Sequence, residues 1–208
     1  MRTSLPYRVV KRVFDVSASI VLVGITAPVM AGLSICIKTE SPGPVFFSHD
    51  RVGESGKHFR MHKFRSMKVG SEDLEAALND DDLEAYLKEY KLNDDPRVTR
   101  IGRWIRYWSL DELPQLLNVI KGDMSLVGPR PVMESELGFY TEDEQQRFLS
   151  VKPGITGYWQ VHGRNEATYQ TGSRQRLELY YVENASPLLD LNILIKTPTA
   201  VLCRKGAR

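Results

Sequence analysis

Apolar residues are concentrated near the start of the chain, where Val16 to Ile37 contains 22 residues without a charge. A helix of that length is about 33 Å long, which is enough to cross a bilayer core of about 30 Å. Pro28 lies near the middle of the run. Because proline removes a backbone hydrogen bond and clashes with the preceding turn, the pattern predicts a membrane helix that is kinked at Pro28.

The basic residues before this run indicate its orientation, since lysine and arginine beside a membrane segment stay on the cytoplasmic side. A full crossing would carry the rest of the chain to the other side, whereas a kinked helix that re-enters the same leaflet keeps it cytoplasmic. We therefore predict a re-entrant helix, with a spanning helix, a buried core helix and a signal peptide as the alternatives. The basic residues are Arg2, Arg8, Lys11 and Arg12.

Two strands are predicted after the apolar run. Pro and Gly residues at 41–44 form a turn signal, and Val45 to Val52 reads as a short strand. The segment Gly53 to Lys57 can reverse the chain into a second strand from His58 to Met67. Side chains alternate along a strand, so Lys63 and Arg65 would share one face and present two cations. A solvated basic strand face is the alternative.

A strongly acidic segment follows the hairpin. Ser71 to Asp95 holds ten acidic residues and two lysines, and its apolar residues recur at uneven helical spacing. We interpret it as a solvated helical excursion. A metal site at Asp80 to Asp82 is the less favoured alternative, because consecutive side chains on a helix do not converge on one point.

Two further segments have the pattern of helices that lie in a membrane interface. Arginines recur every third residue from 97 to 106, between aromatic and aliphatic residues that include Trp104. Packing on the body with the arginines in water is equally compatible with this pattern. The apolar tail from Leu188 to Leu202 is interrupted by Lys196 and Pro198, so it predicts an interfacial or core-packing helix and not a span.

These elements predict an α+β fold. The expected organisation is a basic N-terminus with a re-entrant helix over residues 1–40, followed by a catalytic domain over 41–208 that combines a small β-hairpin or sheet with interfacial helices. With 208 residues and 42% apolar content, the chain can form a sizeable core. Net charge is +2, and because the acidic segment carries −8, the remainder carries +10. A basic body suits phosphates and anionic lipids.

Cysteine use favours a reducing compartment. Cys36 lies in the apolar run and Cys203 lies near the C-terminus, which matches neither a disulfide framework nor a metal cluster.

The clearest candidate chemistry lies between Ser109 and Pro131. Ser109 with Glu112 resembles a capping box, and Pro114 favours the first turn of a helix. Asp111 and Glu112 would then lie at a helix N-terminus, where backbone N–H groups and the helix dipole stabilise negative charge. On this interpretation Asp111 is ionised and can act as a nucleophile. Two carboxylates that only cap a helix are the alternative.

Arg130 is the second candidate, because Pro129 and Pro131 flank it and restrict its backbone. A guanidinium whose ordering cost is already reduced suits a bidentate contact with phosphate. The alternative is a proline-rich turn without a ligand.

The segment RYWSLDELPQLLNVIKGDMSLVGPRP, from Arg106 to Pro131, resembles the signature of the bacterial sugar transferase family, and in particular the small monotopic polyprenol-phosphate phosphoglycosyl transferases. The resemblance extends to KFRSM at 63–67, KPGITGYWQV at 152–161, YVEN at 181–184 and LDL at 189–191. It therefore covers nearly the whole chain, and the length matches members made of the catalytic domain alone.

The resemblance implies a re-entrant helix broken at a Ser-Pro pair, an Asp-Glu dyad with Mg²⁺, a UDP-sugar donor and a polyprenol phosphate acceptor. Asp111 and Glu112 match the dyad. At the break this chain has Ala27 before Pro28, so no serine hydroxyl assists the bend and Pro28 alone would form the kink.

By the same resemblance, Asp111 attacks the phosphorus next to the sugar, UMP departs, and polyprenol phosphate then displaces the phosphosugar from the carboxylate. Glu112, with Asp111, would hold or orient Mg²⁺, and Arg130 would hold the donor phosphate. Asp190 matches an acidic family position, although a charge at a helix N-terminus is an equal reading of it. Further anion-binding or cleft residues are Lys63, Arg65, Arg106, Arg164 and, as a residue that is more often structural, His162.

The expected location is the cytoplasmic face of the bacterial inner membrane, with contacts to anionic lipids and with a homodimer as a possible assembly. We expect no nucleic-acid partner. Two other functions are compatible with parts of the pattern: a membrane-associated glycosyltransferase that releases UDP, and a non-catalytic membrane adaptor. The sequence leaves the sugar open among glucose, galactose and N-acetylated or bacillosamine-type sugars.

Overall fold

The computed structural model describes residues 5–90, 92, 94–163 and 167–202. Within these ranges the chain combines helices with two small sheets, as the sequence predicted for an α+β fold. The strands are β1 (Phe46–Val52), β2 (His58–Phe64), β3 (Ser125–Val127) and β4 (Gly154–Thr156). The helices are α1 (Leu5–Glu40), α2 (Leu74–Ala77), α3 (Asp80–Glu89), α4 (Arg100–Tyr107), α5 (Gln115–Lys121), α6 (Glu142–Phe148), α7 (Tyr158–His162), α8 (Ser173–Asn184) and α9 (Pro187–Leu202).

The predicted hairpin is confirmed. Strands β1 and β2 pair antiparallel, with Phe46 opposite Phe64 and Val52 opposite His58. One face of β2 is buried through Phe59 and Met61, because side chains alternate across the strand. The hairpin therefore packs on the core by one face and leaves Lys63, near its end, partly accessible.

A second sheet, which the sequence analysis did not predict, joins two distant segments. Strand β3 pairs parallel with β4, so that Ser125 lies opposite Gly154 and Val127 opposite Thr156. The two backbones approach closely at Gly128, where a Cβ would collide with the Lys152 carbonyl group. A glycine is required there for this reason, and the pairing directs the chain into Pro129 and Arg130.

Helix α1 passes through Pro28 without an interruption in its assigned length of 36 residues. It contains the stretch that could cross a membrane by length and composition, with a mean hydropathy of 2.3 over 18 residues, of which 11% are buried. Its exposed apolar side chains include Ile20, Ile25 and Val29. Helix α1 is therefore a candidate membrane segment, and a kink at Ala27 and Pro28 stays a prediction.

The first half of α1 is fixed to the body by polar contacts. Asp15 is 3% exposed and accepts hydrogen bonds from the Ser125 hydroxyl and the Leu126 N–H. Arg12 donates to the carbonyl oxygens of Val119 and Ile120, at 2.6 and 3.0 Å, near the end of α5. Buried polar contacts of this kind require a protein surface, so this half of α1 belongs to the globular body.

The last turns of α1 return to the body on another surface. Leu33 and Ile37 are buried with Phe64 of β2 and Ile105 of α4. The Glu40 carboxylate accepts from the Ile101 N–H, at 3.0 and 3.2 Å, at the first turn of α4. Both ends of α1 therefore contact the same globular body, and the exposed apolar stretch lies between them.

Helices α4 and α9 each have one buried and one exposed apolar face. In α4, Ile105 is fully buried whereas Trp104 is 52% exposed. In α9, Ile193 is fully buried whereas Leu188 and Ile195 are exposed. The sequence left packing on the body and lying in the interface open as compatible readings, and each helix has one face suited to each. Helix α4 begins at Arg100, so the arginine stripe was predicted one turn too long.

The acidic excursion is helical, as predicted, and forms α2 and α3. Asp80 to Asp82 make up the first turn of α3, where the Asn79 side chain accepts from the Asp82 N–H at 2.8 Å. Among the residues that the structure describes, no group of three or more His, Cys, Asp or Glu side chains could hold a metal ion. The triplet therefore fits a helix N-terminus.

The structure does not place Arg65 with the predicted anion-binding residues. Strand β2 ends at Phe64, so the alternation that would pair Arg65 with Lys63 does not continue. Arg65 is 6% exposed and donates to the carbonyl oxygens of Ser41 and Pro42, at 2.7 and 2.8 Å. Its guanidinium caps the C-terminal end of α1. The last carbonyl groups of a helix lack partners within the helix, and a cation beside them is favoured.

Replacing Arg65 with methionine should therefore reduce stability and leave donor binding unchanged. The loss would remove the charged donor of the Ser41 and Pro42 carbonyl groups, at a cost of about 2 kcal/mol. Thermal unfolding in detergent, measured beside the exposed Arg60→Met variant, gives the difference. A higher KM for the donor with an unchanged melting temperature would return Arg65 to the site.

Candidate active site

Asp111 and Glu112 lie in a short turn between α4 and α5. Ser109 adopts a left-handed backbone, with φ of 54°, and its side chain caps nothing, so the predicted capping box is wrong. The two carboxylates occupy a 3₁₀ turn over Leu110–Glu112, and α5 begins only after Pro114. They therefore precede helix α5 by one turn.

Lys63 brings the hairpin to the two carboxylates. Its Nζ lies 2.8 Å from Glu112 Oε1 and 3.5 Å from Asp111 Oδ2. Arg130 approaches from the other side, with Nη1 4.0 Å from Glu112 Oε1. The structure thus assembles four of the predicted site residues, from a strand, a turn and a proline-flanked loop, into one cluster of alternating charge.

A cleft opens beside this cluster. Lys63, Glu112 and Arg130 line it together with two neutral amides, Gln115 and Gln160. The remaining lining residues are small or apolar: Met61, Pro131, Gly154 and Ile155. Such a surface combines cations that bind phosphate with amides that can hydrogen-bond hydroxyl groups.

Burial raises the pKa of Asp111, because the carboxyl group is 7% exposed. The Lys63 ammonium acts against this shift, Glu112 adds to it, and Arg106 lowers it again. We had expected a helix N-terminus to keep Asp111 ionised, but in the structure the neighbouring cations Lys63 and Arg106 favour its ionised form. The charge on Asp111 depends on cations beside it.

Arg130 is fixed through its backbone as well as by its prolines. Its N–H donates to both oxygens of Glu178, at 3.3 and 3.2 Å. The preceding residues are tied to β4, since the Gly154 N–H donates to the Pro129 carbonyl oxygen at 2.8 Å. The backbone at Arg130 is thus held from two directions.

A layer of buried charged and aromatic residues lies behind Arg130, and the sequence analysis missed it. Glu178 and Arg174 of α8 are 1% and 7% exposed, and Trp159 of α7 is 8% exposed. A helical signal existed, because positions 174, 178, 181 and 182 form one stripe that is otherwise apolar. Charged residues within such a stripe indicate buried ion pairs.

The other predicted residues lie around this centre or outside it. Arg106 is exposed in the last turn of α4 and acts on Asp111 only through its charge. Arg164 lies outside the described residues. His162 is exposed on α7, with Nε2 2.9 Å from the Lys196 Nζ.

Asp190 joins helices and does not line the cleft. It lies in the first turn of α9 and is 9% exposed. Its carboxylate accepts from the Tyr7 hydroxyl and the Lys11 Nζ, at 2.8 and 2.9 Å, and from the Tyr181 hydroxyl at 2.8 Å. These contacts attach the start of α1 to α8 and α9.

Glu178 should make stability depend on pH. Burial raises its pKa to about 7, while Arg174, Arg130 and Glu136 lie near enough to shift it by their charges. The unfolded carboxyl group titrates near 4.3, so the unfolded state loses its proton first as the pH rises. Stability should fall by about 3 kcal/mol between roughly pH 4.5 and pH 7 and then level off.

Replacing Glu178 with glutamine should remove this part of the pH dependence. The measurement is the difference in unfolding free energy between the wild type and Glu178→Gln at pH 5 and pH 8, with Glu183→Gln on the exposed face of α8 as the control. Equal differences at the two pH values would contradict the raised pKa.

A known protein family matches nearly the whole chain. The family described as "Bacterial sugar transferase" matches residues 6–204, which include α1, the cleft and α9. The chain belongs to the bacterial sugar transferase family. The resemblance read from the sequence is thereby confirmed.

Curated members of this family are similar over almost the whole chain. An undecaprenyl-phosphate galactose phosphotransferase from Salmonella typhimurium is 47% identical over 203 residues, which are 96% of this chain and 42% of the relative. A UDP-N-acetylgalactosamine-undecaprenyl-phosphate N-acetylgalactosaminephosphotransferase from Aeromonas hydrophila is 39% identical over 210 residues, or 97% and 46%. The exopolysaccharide production protein ExoY of Rhizobium meliloti is 43% identical over 200 residues, or 95% and 87%.

The chain thus spans less than half the length of the first two relatives and most of the length of the third. The matched part contains the complete carboxylate, lysine and arginine cluster.

Proposed function

We propose that the protein transfers a sugar 1-phosphate from a UDP-sugar to polyprenol phosphate, releases UMP, and so begins the assembly of a lipid-linked glycan. The observation that carries this proposal is the pair of adjacent carboxylates that Lys63 contacts, with Arg130 4.0 Å from Glu112, beside a cleft that Lys63, Glu112 and Arg130 line. The relatives' names supply the substrate class: galactose or N-acetylgalactosamine phosphate and undecaprenyl phosphate. Which sugar this chain accepts is a matter for a donor panel.

In the first step, a carboxylate oxygen of Asp111 attacks the phosphorus that bears the sugar. The bond between this phosphorus and the oxygen that bridges the two phosphates breaks, and UMP leaves with the electron pair. Lys63 and Arg130 are placed to offset the repulsion between the carboxylate and the diphosphate. The product is a mixed anhydride of Asp111 and the sugar phosphate.

In the second step, a phosphate oxygen of the lipid attacks the same phosphorus, and the Asp111 carboxylate is the leaving group. One nucleophile thus serves two bulky substrates in turn, which predicts ping-pong kinetics. Neither step requires a proton, because the attacking and leaving groups are anionic oxygens.

Magnesium is the proposed cofactor, with Glu112 and Asp111 as its protein ligands. The donor set fits: two adjacent carboxylates can bind Mg²⁺ together with substrate phosphate and water oxygens, without a cage of three protein ligands. Bound there, Mg²⁺ would neutralise charge on the diphosphate. Lys63 occupies the space between the carboxylates, so the metal is best supplied with the donor and not held alone.

We place the enzyme at the cytoplasmic face of the bacterial inner membrane, with α1 re-entrant. Support comes from the two ends of α1, since Asp15 and Ile37 both contact the body. A helix that crossed the membrane would have its two ends on opposite sides, so both ends could not contact one body. The exposed apolar residues between them, with those of α9, face the lipid, and basic residues contact anionic headgroups.

The boundary at residue 40 marks the end of α1, and a homodimer and the absence of a nucleic-acid partner are further parts of the proposal. Cross-linking in liposomes tests the dimer.

The test is the nucleotide released by the purified protein in detergent with Mg²⁺, undecaprenyl phosphate and a panel of UDP-sugars. Release of UMP supports phosphosugar transfer. Release of UDP would show a glycosyltransferase instead, and no release with any donor would leave a membrane adaptor as the function.

A further inference from the structure

The Arg130 side chain lies at the outer limit of an ion pair with Glu112. The arginine side chain is 37% exposed, and Nη1 lies 4.0 Å from Glu112 Oε1. An arginine at this distance is attracted towards a full ion pair with the carboxylate. If the ion pair closed, the guanidinium would use N–H donors for Glu112, and these donors would no longer be available to bind a phosphate. The position of Arg130 therefore requires contacts that keep it back.

A stack of alternating aromatic and cationic groups reaches Arg130 from behind; we call Phe139, Tyr169, Arg174 and Trp159 the cation–aromatic stack. Phe139 and Tyr169 lie 4.5 Å apart and almost parallel. The Arg174 guanidinium lies 4.0 Å from the Tyr169 ring centre and 4.4 Å from that of Trp159. The Arg130 guanidinium lies over the same tryptophan, at 5.9 Å.

The stack is itself fixed at its base. Glu136, which is 4% exposed, accepts from the Tyr169 hydroxyl at 2.9 Å and pairs with Arg174 at 3.7 Å. Arg51 pairs with the same carboxylate at 2.9 Å. Because these groups are buried and ion-paired, Trp159 is presented to Arg130 by a rigid support.

Glu178 fixes the other part of Arg130. Both of its carboxyl oxygens accept a hydrogen bond from the Arg130 backbone N–H, and Glu178 is only 1% exposed. Backbone and guanidinium are thus held by two separate groups that lie outside the cleft, one on α8 and one on α7.

We propose that Glu178 and Trp159, the latter at the end of the cation–aromatic stack, are positioning residues that keep Arg130 away from Glu112 and directed at the donor phosphate. This inference rests on the proposed function, in which Arg130 binds that phosphate. Trp159 supplies a face that attracts the guanidinium. Glu178 supplies the acceptor that fixes the backbone.

The experiment measures kcat and KM for the UDP-sugar in Trp159→Leu and Glu178→Leu. Each should raise KM by about tenfold, which corresponds to ~1.4 kcal/mol of lost binding. Trp159→Phe, which keeps an aromatic face, and Glu178→Gln, which keeps an acceptor, should each retain more affinity than the leucine variant. Glu183→Leu, the same change on the exposed face of α8, is the matched control and should equal the wild type.

The decisive measurement is a double-mutant cycle with Arg130→Ala. Residues that act only through Arg130 lose their effect when Arg130 is gone, so each leucine substitution should change KM less than about twofold in that background. If Arg130→Ala releases too little UMP, the same cycle is measured as UDP binding to Asp111→Asn proteins by calorimetry. Thermal unfolding of every variant separates lost folding from lost positioning.

Two results would overturn the inference while leaving the proposed function intact: an active wild type whose KM does not change in the leucine variants, or an undiminished change in the Arg130→Ala background. The second would show that the stack supports the fold and not Arg130. A wild type that releases no UMP with any donor would instead refute the proposed function.

Discussion

Replacing Asp111 with asparagine is expected to reduce UMP release at least about a thousandfold, the scale on which loss of a nucleophile acts. Asparagine keeps the shape of the side chain but offers an amide oxygen that does not displace phosphate groups. Burial of Asp111, a residue that is 7% exposed, makes the effect larger, because water cannot readily take the place of the missing carboxylate.

Intact mass measures the same variant at the level of the intermediate. Incubated with Mg²⁺ and the accepted UDP-sugar, but without the lipid, the wild type should gain the mass of one sugar phosphate and the Asp111→Asn protein should gain none. Asp50→Asn on the hairpin, with a side chain 76% exposed, is the control and should gain the adduct.

An adduct on the Asp111→Asn protein would mean that another group is the nucleophile, and Glu112 would be the first to replace. Absence of an adduct in the wild type, together with UMP release once the lipid is added, would favour direct attack by the lipid phosphate. Each result therefore selects one chemical route.

Replacing Asp190 with asparagine is expected to have the largest effect on stability. The carboxylate is the common acceptor for Tyr7, Lys11 and Tyr181, and it holds the start of α1 to the body. Removing the acceptor of this partly buried ion pair costs about 3 kcal/mol, because Lys11 loses its counter-charge and the two tyrosine hydroxyls lose an ionised acceptor. For a chain of this length the melting temperature should fall by roughly 10 °C.

Thermal unfolding in detergent tests this expectation, with Asp143→Asn as the control because that side chain is 81% exposed on α6. The KM for the donor should stay at the wild-type value in the protein that remains folded. An unchanged melting temperature with loss of UMP release would assign Asp190 to the chemistry, as the alternative reading of its family position has it.

Local patterns were sufficient to predict the hairpin and to select the four residues that the structure brings together, although their roles stay predictions. Turn signals stand on both sides of the strands, and alternation identified Lys63 as a residue facing one side. Asp111, Glu112 and Arg130 were predicted because unusual residues occur together within one short segment. In each case the information lies within a few residues of the feature.

Contacts between distant segments could not be predicted in this way. Arg65 follows Lys63 by two residues, yet the strand ends between them and the guanidinium turns to carbonyl groups more than twenty residues away. Two other contacts join segments that are far apart in the sequence: the pairing of β3 with β4, and the hydrogen bond between Arg130 and Glu178. A local hydrophobic pattern contains no information about such contacts. The second contact, for example, joins residues that are 48 positions apart, far beyond the range of a local pattern.

The way in which α1 is attached bears on how this protein can be shortened. A chain that starts after residue 40 would lack the Asp15 carboxylate, to which Ser125 and Leu126 donate hydrogen bonds, and the Leu33 and Ile37 side chains, which cover Phe64. Such a fragment would not be a soluble enzyme freed from its anchor. It would be a body with part of its interior opened to water, so α1 has to be kept for the body to stay folded.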